Sequence, residues 1–281
     1  IFYRVDVSLI ILGYIINTLA LGDLLGRKLY KSYSKYFLIQ KILTLVLGLG
    51  FYYLFDVQGI IFALALSYIV YAVRVFKGFR EIKIDFSLLK PRFGFIGNNY
   101  MMVLAQGSKT QMDKLIIGPL LGFSLLGNYI LALQIVAIML MFTTIVFKYT
   151  LSQDASGNEN KKLKEISLLV SIGIAITAYL LSPIVIPEFF PKYSESIEAI
   201  QIMGWSIIPA AISASYTSKF LGLEKSKFVL TSKIVSLITI IVGMITLGPI
   251  LGITGLSIAY LLSISIEAII FGLINWRLYQ R

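Results

Sequence analysis

The sequence predicts an all-α polytopic membrane protein, and three observations carry that prediction. Of 281 residues, 58% are hydrophobic. Only 14% are charged, against about 25% in a soluble domain. So little charge cannot cover a water-facing surface. The apolar runs are continuous over about 20 residues, the length that crosses hydrocarbon as a helix. Strands of a membrane barrel would alternate and be about half as long. The same composition excludes intrinsic disorder. With no cysteine and no histidine, disulfides, thiolate metal sites and the commonest general base are excluded as well.

Nine apolar runs are candidate spans: 7–25, 36–55, 59–77, 94–117, 124–147, 166–186, 197–219, 228–248 and 252–275. Each must be helical, because lipid cannot satisfy the backbone groups of an open strand. The basic residues then give an orientation. Arg27, Lys28, Lys31 and Lys35 follow span 1, and Lys77, Arg80, Lys83, Lys90 and Arg92 follow span 3. Lys148, Lys161, Lys162 and Lys164 follow span 5; Lys219, Lys225 and Lys227 surround the end of span 7; Arg277 and Arg281 close the chain. The alternate loops hold only Lys192. The positive-inside rule places the basic set, and the C-terminus, in the cytoplasm. The net charge of +11 is thereby read as topological rather than as nucleic-acid binding. Ile1 then falls outside, and an odd number of spans is expected before it, as in a piece of a longer chain.

An internal repeat supports the same count. Shifted by 196 residues, spans 1–3 fall on spans 7–9 without a gap. Leu25-Gly26 meets Leu221-Gly222, Lys31 meets Lys227, Val46 meets Val242, Gly59 meets Gly255, and Leu66-Ser67 meets Leu262-Ser263. The shift spans an even number of crossings, so the copies run in the same direction, as in transporters built from parallel repeats. The expected division is residues 1–92, the last three helices of one bundle, and residues 93–281, a six-helix bundle.

Span 4 is the polar one. At 100° per residue, Asn99, Gln106, Thr110 and Asp113 lie within about 60° of one another, with Lys109 at the edge. Lys109 and Asp113 are four apart and can pair on one face. A central charge facing lipid costs at least about 3 kcal/mol, so this stripe should face the bundle interior or a watered cavity. The bland alternative is that Asp113 and Lys114 snorkel from the end of the span. Glu267, inside span 9 with Tyr260 and Ser263 on its side, reads as a proton or cation relay, as a partner for a cation on another helix, or as an anchoring hydrogen-bond acceptor. Lys41, Arg74, Lys219 and Lys233 are expected to snorkel; the alternative is that some of them line an inward-facing cationic cavity. Asp23 and Arg4, near span ends, suggest no role. Pro209 should kink span 7 and Pro119 should end span 4. Gly48, Gly50, Gly243 and Gly255 suit close helix packing. No phosphate-cradling loop, catalytic triad or carboxylate cluster with metal spacing occurs, so no enzyme, cofactor or metal is expected.

The stretch Asp113–Gly118, then Gly122, Leu126-Gly127-Asn128-Tyr129 and Ala132 resembles the polysaccharide biosynthesis/Wzx-type flippase family of the MATE-like (MOP) exporter superfamily. Phe189–Tyr193 with Ile197–Gly204, Leu221-Gly222 with Lys225–Lys227, and Gly248–Gly255 are similar to later loops of that family. Thr150-Leu151-Ser152 departs from it where members often carry a proline. The resemblance implies the C-terminal part of a two-bundle, 6+6 transporter in the cytoplasmic membrane. It would move lipid-linked oligosaccharide of the polyprenyl diphosphate type between leaflets for cell-surface glycan synthesis, with membrane lipids and other polysaccharide-assembly proteins as neighbours and no nucleic acid. Lys109 and Lys114 would attract the diphosphate, Asp113 would orient them or gate the cavity, and Asn99 and Gln106 would bond the sugars. The alternatives are a cation-coupled small-molecule exporter of the same superfamily, a membrane glycosyl- or acyltransferase, and a non-transporting subunit of an assembly machine.

Overall fold

The computed structural model describes residues 5–81, 87, 89–157 and 160–279. Arg4, Lys83 and Arg281 lie outside them. Among the described residues nine α-helices follow one another: α1 (Val5–Gly26), α2 (Tyr30–Ser67), α3 (Ile69–Glu81), α4 (Phe93–Leu121), α5 (Phe123–Asp154), α6 (Lys161–Phe189), α7 (Ser196–Gly204), α8 (Ile207–Gly222) and α9 (Ser226–Tyr279). They form two compact units, Ile1–Leu88 and Leu89–Arg281.

In the first unit α2 doubles back at Asp56, whose φ of 55° and ψ of −147° break the helix. The two arms meet where Gln40 Nε2 donates to Ser67 Oγ at 3.1 Å. Near the bend, a Cβ on Gly59 would sit 2.1 Å from the carbonyl oxygen of Phe51. Helix α1 lies against this hairpin, with Gly13 under the Tyr68 ring and Asp23 paired to Arg74 of α3 at 2.6 Å.

The second unit repeats the device. Helix α9 is 54 residues long, about 80 Å if straight and more than twice the hydrocarbon thickness. It bends at Gly252, with φ 58° and ψ −132°. Ser236 Oγ donates to the Ser263 carbonyl at 2.8 Å, and a Cβ on Gly243 would lie 2.6 Å from that of Ala259. The arms are therefore antiparallel. Around them α4, α5, α7 and α9 share a core that includes Ile117, Tyr129, Val136, Met203, Met244 and Leu256. At one end Asp154 of α5 accepts from Lys164 of α6 at 2.9 Å and from the hydroxyl of Ser218 on α8.

The backbone carries the internal repeat more clearly than the side chains do. The positive-φ residues Lys28 and Asp56 of the first unit are matched 196 residues later by Glu224 and Gly252. Ahead of Asp56, Leu29 N donates to Leu24 O at 2.8 Å and Lys28 N to Leu25 O at 3.0 Å. The corresponding Lys225-to-Phe220 and Glu224-to-Leu221 bonds are 2.7 and 3.0 Å. Both turns are Schellman caps with a left-handed residue after the helix.

Several expectations need correction. By length and composition five described helices can cross a membrane, or six if the bent pair Ser196–Gly204 and Ile207–Gly222 is one span, and two of the five, bent at Asp56 and Gly252, each hold two of the nine apolar runs. Spans 2 and 3, and spans 8 and 9, are not divided by loops but run on through bends at Asp56 and Gly252. The polar stripe of α4 keeps that helix below the apolar threshold. Pro209 does not kink a helix midway. The 43° bend lies ahead of it, between α7 and α8, and Pro209 sits in the first turn of α8, where its missing N–H leaves no bond unmade. Pro119 lies inside α4, which ends at Gly122 with φ 92°. Of the four packing glycines, Gly243 and Gly255 are pressed against neighbours, whereas Gly48 and Gly50 have nothing within 4 Å.

Candidate functional site

The polar stripe of α4 faces a partly open cavity of about 800 Å³ lined by residues of the second unit. The spacing that put Asn99, Gln106, Lys109, Thr110 and Asp113 on one helix face brings all five to its wall. Helix α5 adds Tyr129 and Thr143, α8 adds Ser213 and Thr217, and the two arms of α9 add Lys233, Tyr260 and Glu267. A second hollow of about 570 Å³ between α5, α6 and α7 has Thr177 and Ser182 among aliphatic side chains and no charge. A site for a charged or hydroxyl-rich ligand is therefore the first one.

Lys109 and Asp113 do not pair. The Lys109 ammonium donates to Ser236 Oγ on α9 at 2.8 Å, and Asp113 Oδ1 accepts from the backbone N–H of Lys114 at 2.8 Å. Both interactions are closer to hand than the neighbouring charge: α9 packs directly on α4 beside Lys109, and Asp113 turns back on its own chain. The Asp113 residue is 4% exposed, so its carboxylate is held at the wall rather than reaching to a membrane surface. Lys114 does not join this group. It is exposed, and its Nζ donates to Gln111 Oε1 at 3.2 Å. Asn99 Nδ2 donates to the Phe95 carbonyl at 2.8 Å.

The expectation that Lys233 snorkels is wrong. Its Nζ stands 2.6 Å from Glu267 Oε1 on the opposite arm of α9, so Glu267 is half of an ion pair. The hairpin decides this, since the two residues are 34 apart in sequence and no helical spacing relates them. Arg74 is likewise paired, with Asp23, and Lys219 Nζ donates to Asn275 Oδ1 at 3.0 Å. Lys41 lies over the Phe37 ring at 5.4 Å.

Sequence reasoning missed a further group. The hydroxyls of Tyr129, Thr143, Ser213 and Thr217 are buried and make no hydrogen bond within the described residues. All four line the cavity. A buried hydroxyl without a partner costs about 1–3 kcal/mol, so their convergence on one hollow marks it as a place for polar occupants. Single hydroxyls scattered over helices α5 and α8 leave no recognisable pattern in sequence.

No protein-family model matches the chain, and no curated protein matches it. Solved structures do. A MATE in the bent conformation superposes with a TM-score of 0.78 at 15% identity, over 94% of this chain and 65% of that one. A MATE in complex with MaL6 gives 0.79 at 15% identity, over 95% and 67%. An outward-facing multidrug resistance MATE family transporter of the MOP superfamily gives 0.76 at 17% identity, over 97% and 68%. The fold is that of MATE transporters. The chain spans about two thirds of the length of those MATE structures. At this identity the likeness is one of fold, a multi-pass helical architecture.

Proposed function

We propose that this protein is a flippase of the MOP superfamily that moves lipid-linked oligosaccharide across the cytoplasmic membrane. The observation that carries the reading is the cavity wall. Two ammonium groups, Lys109 and Lys233, stand there among the amides of Asn99 and Gln106 and four buried hydroxyls without partners. A diphosphate and its sugars cannot enter hydrocarbon unless protein groups replace their hydration. Ammoniums suit the diphosphate, and amides and hydroxyls suit the sugars. Alternating access about this site, by rocking of the bundles that residues 1–92 and 93–281 belong to, would carry the headgroup between leaflets while the lipid tail stays in the bilayer. The C-terminus is cytoplasmic in this reading.

Leaflet sidedness tests it. Cells depleted of the full-length protein are treated with an impermeant enzyme that cleaves only outer-leaflet glycan. The protected fraction of lipid-linked oligosaccharide should rise on depletion and fall when the intact gene returns. Asp113→Asn should fail to restore it; an unchanged protected fraction on depletion removes the reading.

A cation-coupled small-molecule exporter is the second reading, favoured by one observation. Asp113 is a buried carboxylate at the cavity wall that forms no ion pair among the described residues. Drug efflux from the same cells, lost with Asp113→Asn while leaflet sidedness is unaffected, would support it.

A further inference from the structure

The charged groups of the cavity are arranged unequally. Glu267 and Lys233 touch across the α9 hairpin, but the Glu267 side chain is 5% exposed and the Lys233 side chain 28%. Both line the cavity, and the carboxylate is the more deeply buried of the two. Three residues beyond Lys233 on the same arm, Ser236 receives the ammonium of Lys109 from α4. That partner is neutral. Lys109, Lys233 and Glu267 together therefore carry two positive charges and one negative. The fourth charged group on the wall, Asp113, lies one turn along α4 and forms no ion pair with Lys109. Each ammonium has three donors. Those of Lys233 and Lys109 that are not spent on Glu267 and Ser236 are available to an anion entering the cavity.

We infer that Glu267 is a resident counter-ion that competes with the substrate's phosphate for Lys233. The inference rests on the proposed anionic substrate and adds a residue that governs its capture and release. A carboxylate held in contact by the fold acts as a competitor at high effective concentration. A single negative charge meeting Lys233 alone does not displace it. A diphosphate does, because it bridges Lys233 and Lys109 and gains two charge-assisted contacts for the one it replaces. When the ligand leaves, Glu267 takes Lys233 back, and the cavity returns to its ligand-free arrangement. The buried carboxylate thus selects for multiply charged headgroups and speeds their release. Neither Lys114 nor the α4 stripe does this, because neither places a carboxylate against an ammonium.

The test is calorimetric binding of inorganic pyrophosphate to the full-length protein in detergent. Glu267→Gln removes the competitor and should bind about tenfold more tightly than wild type. The double variant Lys233→Met with Glu267→Gln keeps the net charge and removes the pair; it should bind about tenfold more weakly than wild type. An equal or weaker affinity for Glu267→Gln overturns the inference. So does wild-type affinity in the double variant, which decides the matter even where the single variant does not fold. Leaflet sidedness separates this from the flippase reading. The expected affinity order with no effect of depletion on sidedness removes the flippase and leaves the counter-ion. Intact flipping with the affinity order absent removes the counter-ion and leaves the flippase.

Discussion

At φ 55° and ψ −147°, Asp56 holds a conformation that side chains rarely adopt, and strain of this kind costs about 1–3 kcal/mol. Gly252 makes the equivalent bend 196 residues later with no Cβ to crowd. Asp56→Gly should therefore raise the melting temperature of the purified protein, and Gly252→Ala should lower it. Single residues in the cavity divide in the same concrete way. Asp113 is buried at its wall while Lys114, the next residue, points away and is exposed. Lys114→Gln should restore leaflet sidedness in depleted cells as fully as the intact gene does, in contrast to Asp113→Asn. Both residues belonged to one polar stretch in sequence. Helix rotation of 100° separates them.

Among the elements, the α9 hairpin places the charges, and its geometry depends on two glycines. A Cβ on Gly255 would come within 2.2 Å of the Leu247 carbonyl oxygen, a backbone atom that cannot swing aside. Gly255→Ala should cost about 1–3 kcal/mol and, by opening the arms, separate Lys233 from Glu267. Gly48→Ala is the matched control. Nothing lies within 4 Å of that position, and replacing a helical glycine by alanine there should stabilise by up to about 1 kcal/mol. Melting curves of both variants in the same detergent make the comparison. The polar face of α4 was legible from periodicity alone, because one helix imposes one repeat. That Glu267 could meet a cation on another helix was legible; that the cation is Lys233 was not, because the pair joins two arms through a bend. Snorkelling was the natural reading of a lysine near the end of an apolar run, and it failed for that reason.

For the molecule as a whole, fold and function separate. The MATE architecture is common to proteins that share 15–17% identity with this chain, so the fold persists where most of the sequence differs. Orientation belongs to this scale too, since it follows from the sum of loop charges. A reporter fused after Arg281 that is active only in the cytoplasm should be active; activity from an exported-only reporter at the same position would reverse the topology.

Features that depend on neighbours along the chain are written in the sequence. Apolar content and run length dictated membrane helices, and the 3.6-residue period aligned Asn99, Gln106, Lys109, Thr110 and Asp113. The 196-residue shift announced a repeat that its backbone turns then displayed. The tertiary structure alone decided which spans were joined through a bent residue, that Lys109 reaches Ser236 rather than Asp113, that Lys233 meets Glu267, and that four isolated hydroxyls converge. Those contacts join residues far apart in the chain, and local periodicity holds no information about which helix faces will meet.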